Sequence, residues 1–389
     1  MALQCEATAP GEQRIQFPVG TIVRWICSQV LVRFYYPAAI VGDGGLPTKE
    51  RAHWIASPQA LYVRGYSRFL GIDFRPVWWT LRCLFGSIRM EAYPDLSPAT
   101  ERRWPVVILS HGLGGTATAY AKLCCALSAH GMVVLAVEHQ DGTASATLTR
   151  SGTALFYRKP NLRDPVGKRK RARKEQLEKR CREIQTLLEW LQGTEPATAE
   201  EDRLQLELLK VCDAKRITLC GHSFGGATIA QWLLSPRADQ FSLHRCLLLD
   251  PWFWPLLNET EIENGNEGRR EPTQEASSLP LPTGAIAPSL LLVNELFSRS
   301  LSPTERRALQ LWPATHRLML RGAAHQVQSD FEHRLPRIVT RFARLASRQD
   351  PSRLFQTQLD LIIAFLDGDE ARWVATLERE ADLVVPLEP

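Results

Sequence analysis

"LCGHSFGGAT", residues 219–228, sets Ser223 between Gly221 and Gly225 in the spacing G-x-S-x-G. The preceding run, Lys215-Arg216-Ile217-Thr218-Leu219-Cys220, suits a short strand. The following run, Gly226 to Leu234, carries apolar residues three and four apart, the period of a helix. A strand that turns this sharply into a helix leaves no room for side chains at Gly221 and Gly225. It lifts the Ser223 hydroxyl to the tip of the turn and aims the Phe224 N–H, at the helix start, toward any negative charge developing beside that hydroxyl. A serine in an ordinary glycine-rich turn is the plainer reading, and the flanking strand and helix weigh against it.

The same rhythm extends outward. "WPVVILSHGLGG" (104–115) reads as an apolar strand ending in a glycine turn, with a helix following to about His130. "MVVLAVEHQDG" (132–142), "CLLLDP" (246–251), "APSLLLVNE" (287–295) and "RLMLRGAAH" (317–325) supply further strands. This alternation predicts an α/β fold, a mainly parallel central sheet with helices on both faces. "TIVRWICSQVLVRFYYPAAI" (21–40) predicts an antiparallel hairpin, and 51–90 reads as aromatic and irregular. Residues 164–192 predict a long charged helix with one apolar stripe, Leu177, Cys181, Ile184, Leu188 and Leu191. Its basic start, "KRKRARK" (168–174), reads first as a solvated helix face, with an anionic-lipid patch or a nuclear-import tract as the sharper alternatives. Residues 1–16 read as a flexible tail. Residues 17–389 read as one catalytic domain interrupted by a polar, proline-bearing, disordered insert at 258–284.

Composition narrows the classes. With 389 residues and 44% hydrophobic content the chain can bury a large core, and a net charge of +5 makes no case for nucleic acid. Nine cysteines without C-x-x-C or Cys/His ligand spacing read as reduced thiols, and no metal-ligand cluster or cofactor motif is legible. The N-terminus lacks a signal-peptide pattern, Ala2 excludes myristoylation, and no apolar run is long enough to span a bilayer. A cytoplasmic chain is the expectation, with peripheral membrane association possible and no obligate protein partner inferred.

A serine hydroxyl needs a base, and the base needs an acid to fix its tautomer. Where a G-x-S-x-G turn carries the nucleophile, the chain order is Ser, acid, His. Four histidines follow Ser223. His244 and His316 stand where strands begin, at the wrong edge of the sheet, and His333 falls in a helix. His325 follows "LMLRGAA" in a loop of small residues beyond a strand's C-terminal end, the edge where open α/β sheets build their sites. For the acid, Asp250 closes "CLLLD" and Glu295 closes "PSLLLVNE"; spacing favours Asp250 and leaves Glu295 open. The turn "SHGLGG" (110–115) offers the Leu113 N–H as a second oxyanion donor beside Phe224. His111 and His222, which flank these turns, read as structural hydrogen-bonders rather than catalysts.

"GHSFGGAT", "LSHGLGG", "VVLAVEHQDGTASAT", "LLLDPWFWP" and "RGAAHQVQSDF", in this order, resemble the segments of platelet-activating factor acetylhydrolases of the plasma and intracellular type II kind, the group VII phospholipases A2. "VRFYYP" (32–37), "YSRFLGI" (66–72) and "LRCLFGS" (81–87) extend the likeness toward the N-terminus. The resemblance covers roughly residues 17 to 345 and implies an α/β-hydrolase fold. It implies Ser223 as nucleophile, Asp250 as acid, His325 as base, and the Leu113 and Phe224 N–H groups as oxyanion hole. It further implies calcium-independent hydrolysis of an sn-2 acetyl, short-chain or oxidised acyl ester of a phospholipid. A broader lipase, carboxylesterase or phospholipase A1 is the alternative enzyme, and a non-catalytic binding module the alternative of another class. Two features depart from the family pattern, the 258–284 insert and the stretch before His325.

"RPVWWTLRCLFGS" (75–87) sets Val77, Trp78, Leu81, Leu84 and Phe85 at near-helical spacing with Trp79 beside them, and Pro76 suits a first helical turn. A core helix is the plainer reading. Adjacent tryptophans, which favour the water–headgroup boundary, and the family likeness suggest instead an interfacial helix with Val77, Trp78, Trp79 and Leu81 toward lipid.

Overall fold

A computed structural model describes residues 17–40, 47–194, 202–257, 279–282, 286–342 and 345–387. The 1–16 tail and residues 258–278 and 283–284 of the expected insert lie outside the described residues. The described strands are β1 (Val19–Ile26), β2 (Val30–Pro37), β3 (Tyr93–Pro94), β4 (Trp104–Ser110), β5 (Val133–Glu138), β6 (Ala146–Leu148), β7 (Ala154–Phe156), β8 (Cys212–His222), β9 (Arg245–Leu249), β10 (Ser289–Asn294), β11 (His316–Leu320) and β12 (Val384–Pro386). Ten of them form one sheet in the order β12-β11-β10-β9-β8-β4-β5-β2-β1-β3, and β6 and β7 form a separate hairpin. The six central strands from β11 to β5 are parallel to one another. The hairpin read at 21–40 is β1 and β2, antiparallel from Val19↔Pro37 to Ile26↔Val30.

Successive residues of a strand face opposite sides, and here both sides are apolar. Val107 and Leu109 of β4 join one core cluster while Val106 and Ile108 join the other; Leu290 and Leu292 of β10 part from Leu291 and Val293 in the same way. Parallel strands covered on both faces read as unbroken apolar runs, which is why "VVIL" and "LLLV" lack polar alternation. The helices Ala121–Ala129 and Pro351–Asp367 cover the first face; Val166–Gln192 and Phe224–Leu233 cover the second.

Two expectations are corrected. The stretch 51–90, read as irregular, holds the helix Gln59–Phe69, while the helical spacing read at 75–87 is the helix Arg75–Phe85. The first carries Gly65 at its centre, which lowers its helical signal; a Cβ there would meet the Ser145 carbonyl oxygen at 2.7 Å, so the glycine admits close packing against the segment entering β6. The basic tract 168–174 is not a uniformly solvated face. Lys170 is buried, its ammonium donating to the Leu257 carbonyl, and Arg173 donates to Gln176 (2.8 Å) and Tyr157 (2.8 Å). Lys168 and Arg171 remain exposed.

Candidate active site

Asp250 and His325 come together beyond the C-terminal ends of β9 and β11, beside His222 at the end of β8, which directly precedes Ser223. Ser223 follows the last residue of β8 and precedes the helix Phe224–Leu233, with φ 56° and ψ −116°. A non-glycine residue at positive φ is strained, and such strain collects at functional turns. It is held by Ser223 N–H donating to the Leu249 carbonyl (2.9 Å) and by the Ser223 carbonyl accepting from Trp252 N–H (2.9 Å). The glycines are required by space. A Cβ on Gly221 would run into the Gly225 carbonyl, and one on Gly225 into the Ser110 carbonyl of the neighbouring strand. The second clash, across to β4, is not readable from the local sequence.

Asp250 is fully buried and also at positive φ, 45°. Its Oδ2 lies 3.0 Å from His325 Nδ1 and accepts from Asn294 Nδ2 at 2.7 Å, while Oδ1 accepts the Asn294 backbone N–H at 2.5 Å. Glu295 is engaged elsewhere: it accepts the Gly322 N–H at 2.6 Å and pairs with Arg299. The geometry therefore joins His325 to Asp250. Burial pushes the Asp250 carboxyl up to about 7, against the pull of His222 and of the Asn294 hydrogen bonds. Burial likewise pushes His325 down to about 3, toward the neutral imidazole a base requires. Phe297 stacks on His325 with ring centroids 4.2 Å apart, fixing the ring plane.

His222 is the hydrogen-bonder that the sequence suggested, and it joins three loops. Its Nε2 lies 2.9 Å from the His325 carbonyl, which can only accept, so Nε2 carries the proton. Burial holds its pKa down to about 3, so Nδ1 is an acceptor and takes the Tyr120 hydroxyl at 2.6 Å. Tyr120 in turn accepts the Gly112 N–H at 3.1 Å. The turn 111–115 passes close over the nucleophile: a Cβ on Gly112 would come 3.0 Å from Ser223 Cβ. Leu113 follows in that turn, and Phe224 opens its helix, where the N–H has no intrahelical acceptor.

The cluster His222, Asp250 and His325 has ligand atoms within 4.8 Å of one another, a grouping the sequence did not reveal. Both nitrogens of His222 and the Nδ1 of His325 already face protein groups, so this donor set fits a proton-relay site better than a metal. His316 begins β11 and packs on Trp373, and His333 bonds the Val327 carbonyl at 3.1 Å. Sequence reading missed Tyr120, which has no local signature. It also missed Asn294, whose clue was its place at a strand end directly before Glu295.

Val77, Trp78, Trp79 and Leu81 lie on the helix Arg75–Phe85, none of whose residues is buried. Trp78 and Leu81 pack against the core, with the Arg64 guanidinium 4.7 Å over the Trp78 ring, whereas Trp79 is 71% exposed. Leu70, Ile72, Phe74 and Leu84 are exposed nearby in sequence.

A family model described as "Platelet-activating factor acetylhydrolase, isoform II" matches residues 17–267. The chain belongs to that family. It is an ester hydrolase of the platelet-activating factor acetylhydrolase group. Relatives named platelet-activating factor acetylhydrolase include one from Cavia porcellus, 27% identical across 91% of this chain and 77% of the relative. One from Bos taurus is 27% identical across 91% and 76%. A solved ferulic acid esterase from Streptomyces cinnamoneus superposes with a TM-score of 0.56 at 20% identity, covering 92% of this chain and 91% of that one. That likeness concerns the fold, an α/β-hydrolase. No helix among the described residues is long and apolar enough to cross a membrane.

Proposed function

We propose that this acetylhydrolase family member is a serine-dependent, calcium-independent phospholipid hydrolase. Its substrate is the sn-2 acetyl, short-chain or oxidised acyl ester of platelet-activating factor-like phospholipids. The observation that supports it most is the His325–Asp250 pair beside His222, with Ser223 next in the chain at the strained turn under Gly112, in a chain whose relatives carry that acetylhydrolase name. Ser223 Oγ attacks the ester carbonyl as His325 Nε2 takes its proton, and Asp250 holds the imidazole through Nδ1. The tetrahedral oxyanion lies between the Leu113 and Phe224 N–H groups. The bond to the leaving oxygen breaks as His325 protonates it, releasing lysophospholipid and leaving an acyl-enzyme. Water, deprotonated by His325, attacks that ester; the acid leaves and the proton returns to Ser223.

The exposed Trp79 side of the helix Arg75–Phe85 rests on lipid in this reading, so the enzyme works at a membrane or particle surface. Turnover of sn-2 acetyl, hexanoyl and palmitoyl phosphatidylcholines is measured side by side in EDTA. The acetyl and hexanoyl esters are expected to turn over and the palmitoyl ester to lag far behind. Equal rates on all three, or release of the sn-1 chain, would move the reading to a broader lipase or a phospholipase A1.

A further inference from the structure

The helix Val166–Gln192 carries a charge inside its apolar stripe. Arg180, between Leu177 and Ile184, is fully buried. Its guanidinium is spread over two separate segments. Nε pairs with Asp141 at 2.9 Å, and one terminal nitrogen donates to the His111 carbonyl at 2.6 Å. The other terminal nitrogen donates to the Thr143 hydroxyl. Asp141 completes the frame by accepting the Thr143 N–H at 2.9 Å.

These contacts converge on Leu113 from both sides. The His111 carbonyl, two residues before it, is held by Arg180. The Gly114 N–H, directly after it, donates to the Thr143 carbonyl at 2.8 Å, and Thr143 is itself held by Arg180 and Asp141. The opposite donor is touched as well, because the Arg180 guanidinium lies 4.8 Å over the Phe224 ring. A buried ion pair gains little net stability over a well-packed apolar replacement. Stability alone therefore does not explain a cation here; a planar fork reaching three oxygens in fixed directions does.

We propose that Arg180 is a positioning residue for the oxyanion hole, fixing the direction of the Leu113 N–H through His111 and Thr143 while backing Phe224. This rests on the reading of Leu113 and Phe224 as oxyanion donors. Arg180 touches no substrate and acts through these two residues. Removing one oxyanion donor outright costs about 10²–10³ in kcat, so loosening one is expected to cost about 10–100-fold.

The test uses the full chain, p-nitrophenyl acetate, and a short-chain trifluoromethyl ketone whose hydrated or serine-bound form carries the tetrahedral oxygen. Active sites are counted by organophosphonate titration, so unfolded protein does not enter the rates. Arg180→Lys keeps the charge and loses the fork. It is expected to lower kcat per site about 10–100-fold with KM within about twofold, and to weaken the ketone by the same factor as kcat/KM. Thr143→Val, which removes one arm and keeps the ion pair, is expected to move both quantities in the same direction by less. It carries the test if Arg180→Lys fails to fold. Leu187→Ala, a cavity on the same helix, serves as the control that lowers Tm without changing kcat per site. Parental kcat and ketone affinity per site in the folded variants, whatever their Tm, would reduce Arg180 to a structural role. If the parent protein binds the trifluoromethyl ketone no better than the matching methyl ketone, the oxyanion-hole reading itself fails, and this proposal with it.

Discussion

His325 Nδ1 sits 3.0 Å from Asp250 Oδ2, while Glu295, one strand further on, caps the Gly322 N–H instead. The two carboxylates therefore differ in their expected effect. Asp250→Asn presents an amide to His325 and favours the wrong tautomer, which is expected to lower kcat by about 10⁴-fold. Glu295→Gln is expected to cost far less. Rates on p-nitrophenyl acetate, with circular dichroism to confirm folding, check the ranking; the reverse order transfers the acid's role to Glu295.

The same pair sets the pH response. Burial pushes Asp250 up to about 7 and His325 down to about 3, and one proton between them titrates the pair as a unit. Catalysis needs the anionic carboxylate beside a neutral imidazole. Activity is therefore full above the pair's upper pKa and falls as pH drops through it. Donors to the carboxylate favour its ionised form, and Asn294 supplies one from its side chain at 2.7 Å. Asn294→Ala is expected to move the acid limb of kcat/KM to higher pH. A shift to lower pH, or none, would show that Asn294 does not stabilise the ionised carboxylate.

Much of the central sheet was legible because its strands are buried on both faces and read as apolar runs closed by glycine or acidic turns. The three catalytic candidates were legible because each stands just past such a run. What was hidden depends on contacts across the fold. Tyr120 meets His222 only because the helix Ala121–Ala129 starts beside the nucleophile turn, and Asn294 meets Asp250 only because β10 lies next to β9. Arg180 left a faint trace, a charge three residues after Leu177 on an apolar stripe, but its partners come from two other loops. The helix Gln59–Phe69 was obscured by its central glycine, which is needed for packing against Ser145.

The two adjacent tryptophans are expected to separate. Trp79, 71% exposed, contributes little to the core, and its removal is expected to spare folding and hydrolysis of a water-soluble ester. Burying such a ring in a lipid interface is worth about 2 kcal/mol, so Trp79→Ala is expected to weaken vesicle binding by tens of fold. Trp78, packed on the core beneath Arg64, is expected to lower Tm when truncated. Vesicle sedimentation and thermal melts check both; unchanged vesicle affinity in Trp79→Ala would remove this helix from the lipid surface.

Excess EDTA is expected to leave turnover unchanged. The one grouping of potential ligands among the described residues, His222, Asp250 and His325, has its facing nitrogens engaged by Tyr120, the His325 carbonyl and Asp250. Activity lost to chelator and restored by calcium would contradict this.

The most direct measurement of the central claim is covalent. An organophosphate is allowed to react to completion and the digest is read by mass spectrometry. One label per chain is expected, on the peptide containing Ser223, and its disappearance in Ser223→Ala together with loss of turnover by several orders of magnitude. Stoichiometric labelling that persists in folded Ser223→Ala would contradict the account, because the nucleophile would then lie elsewhere.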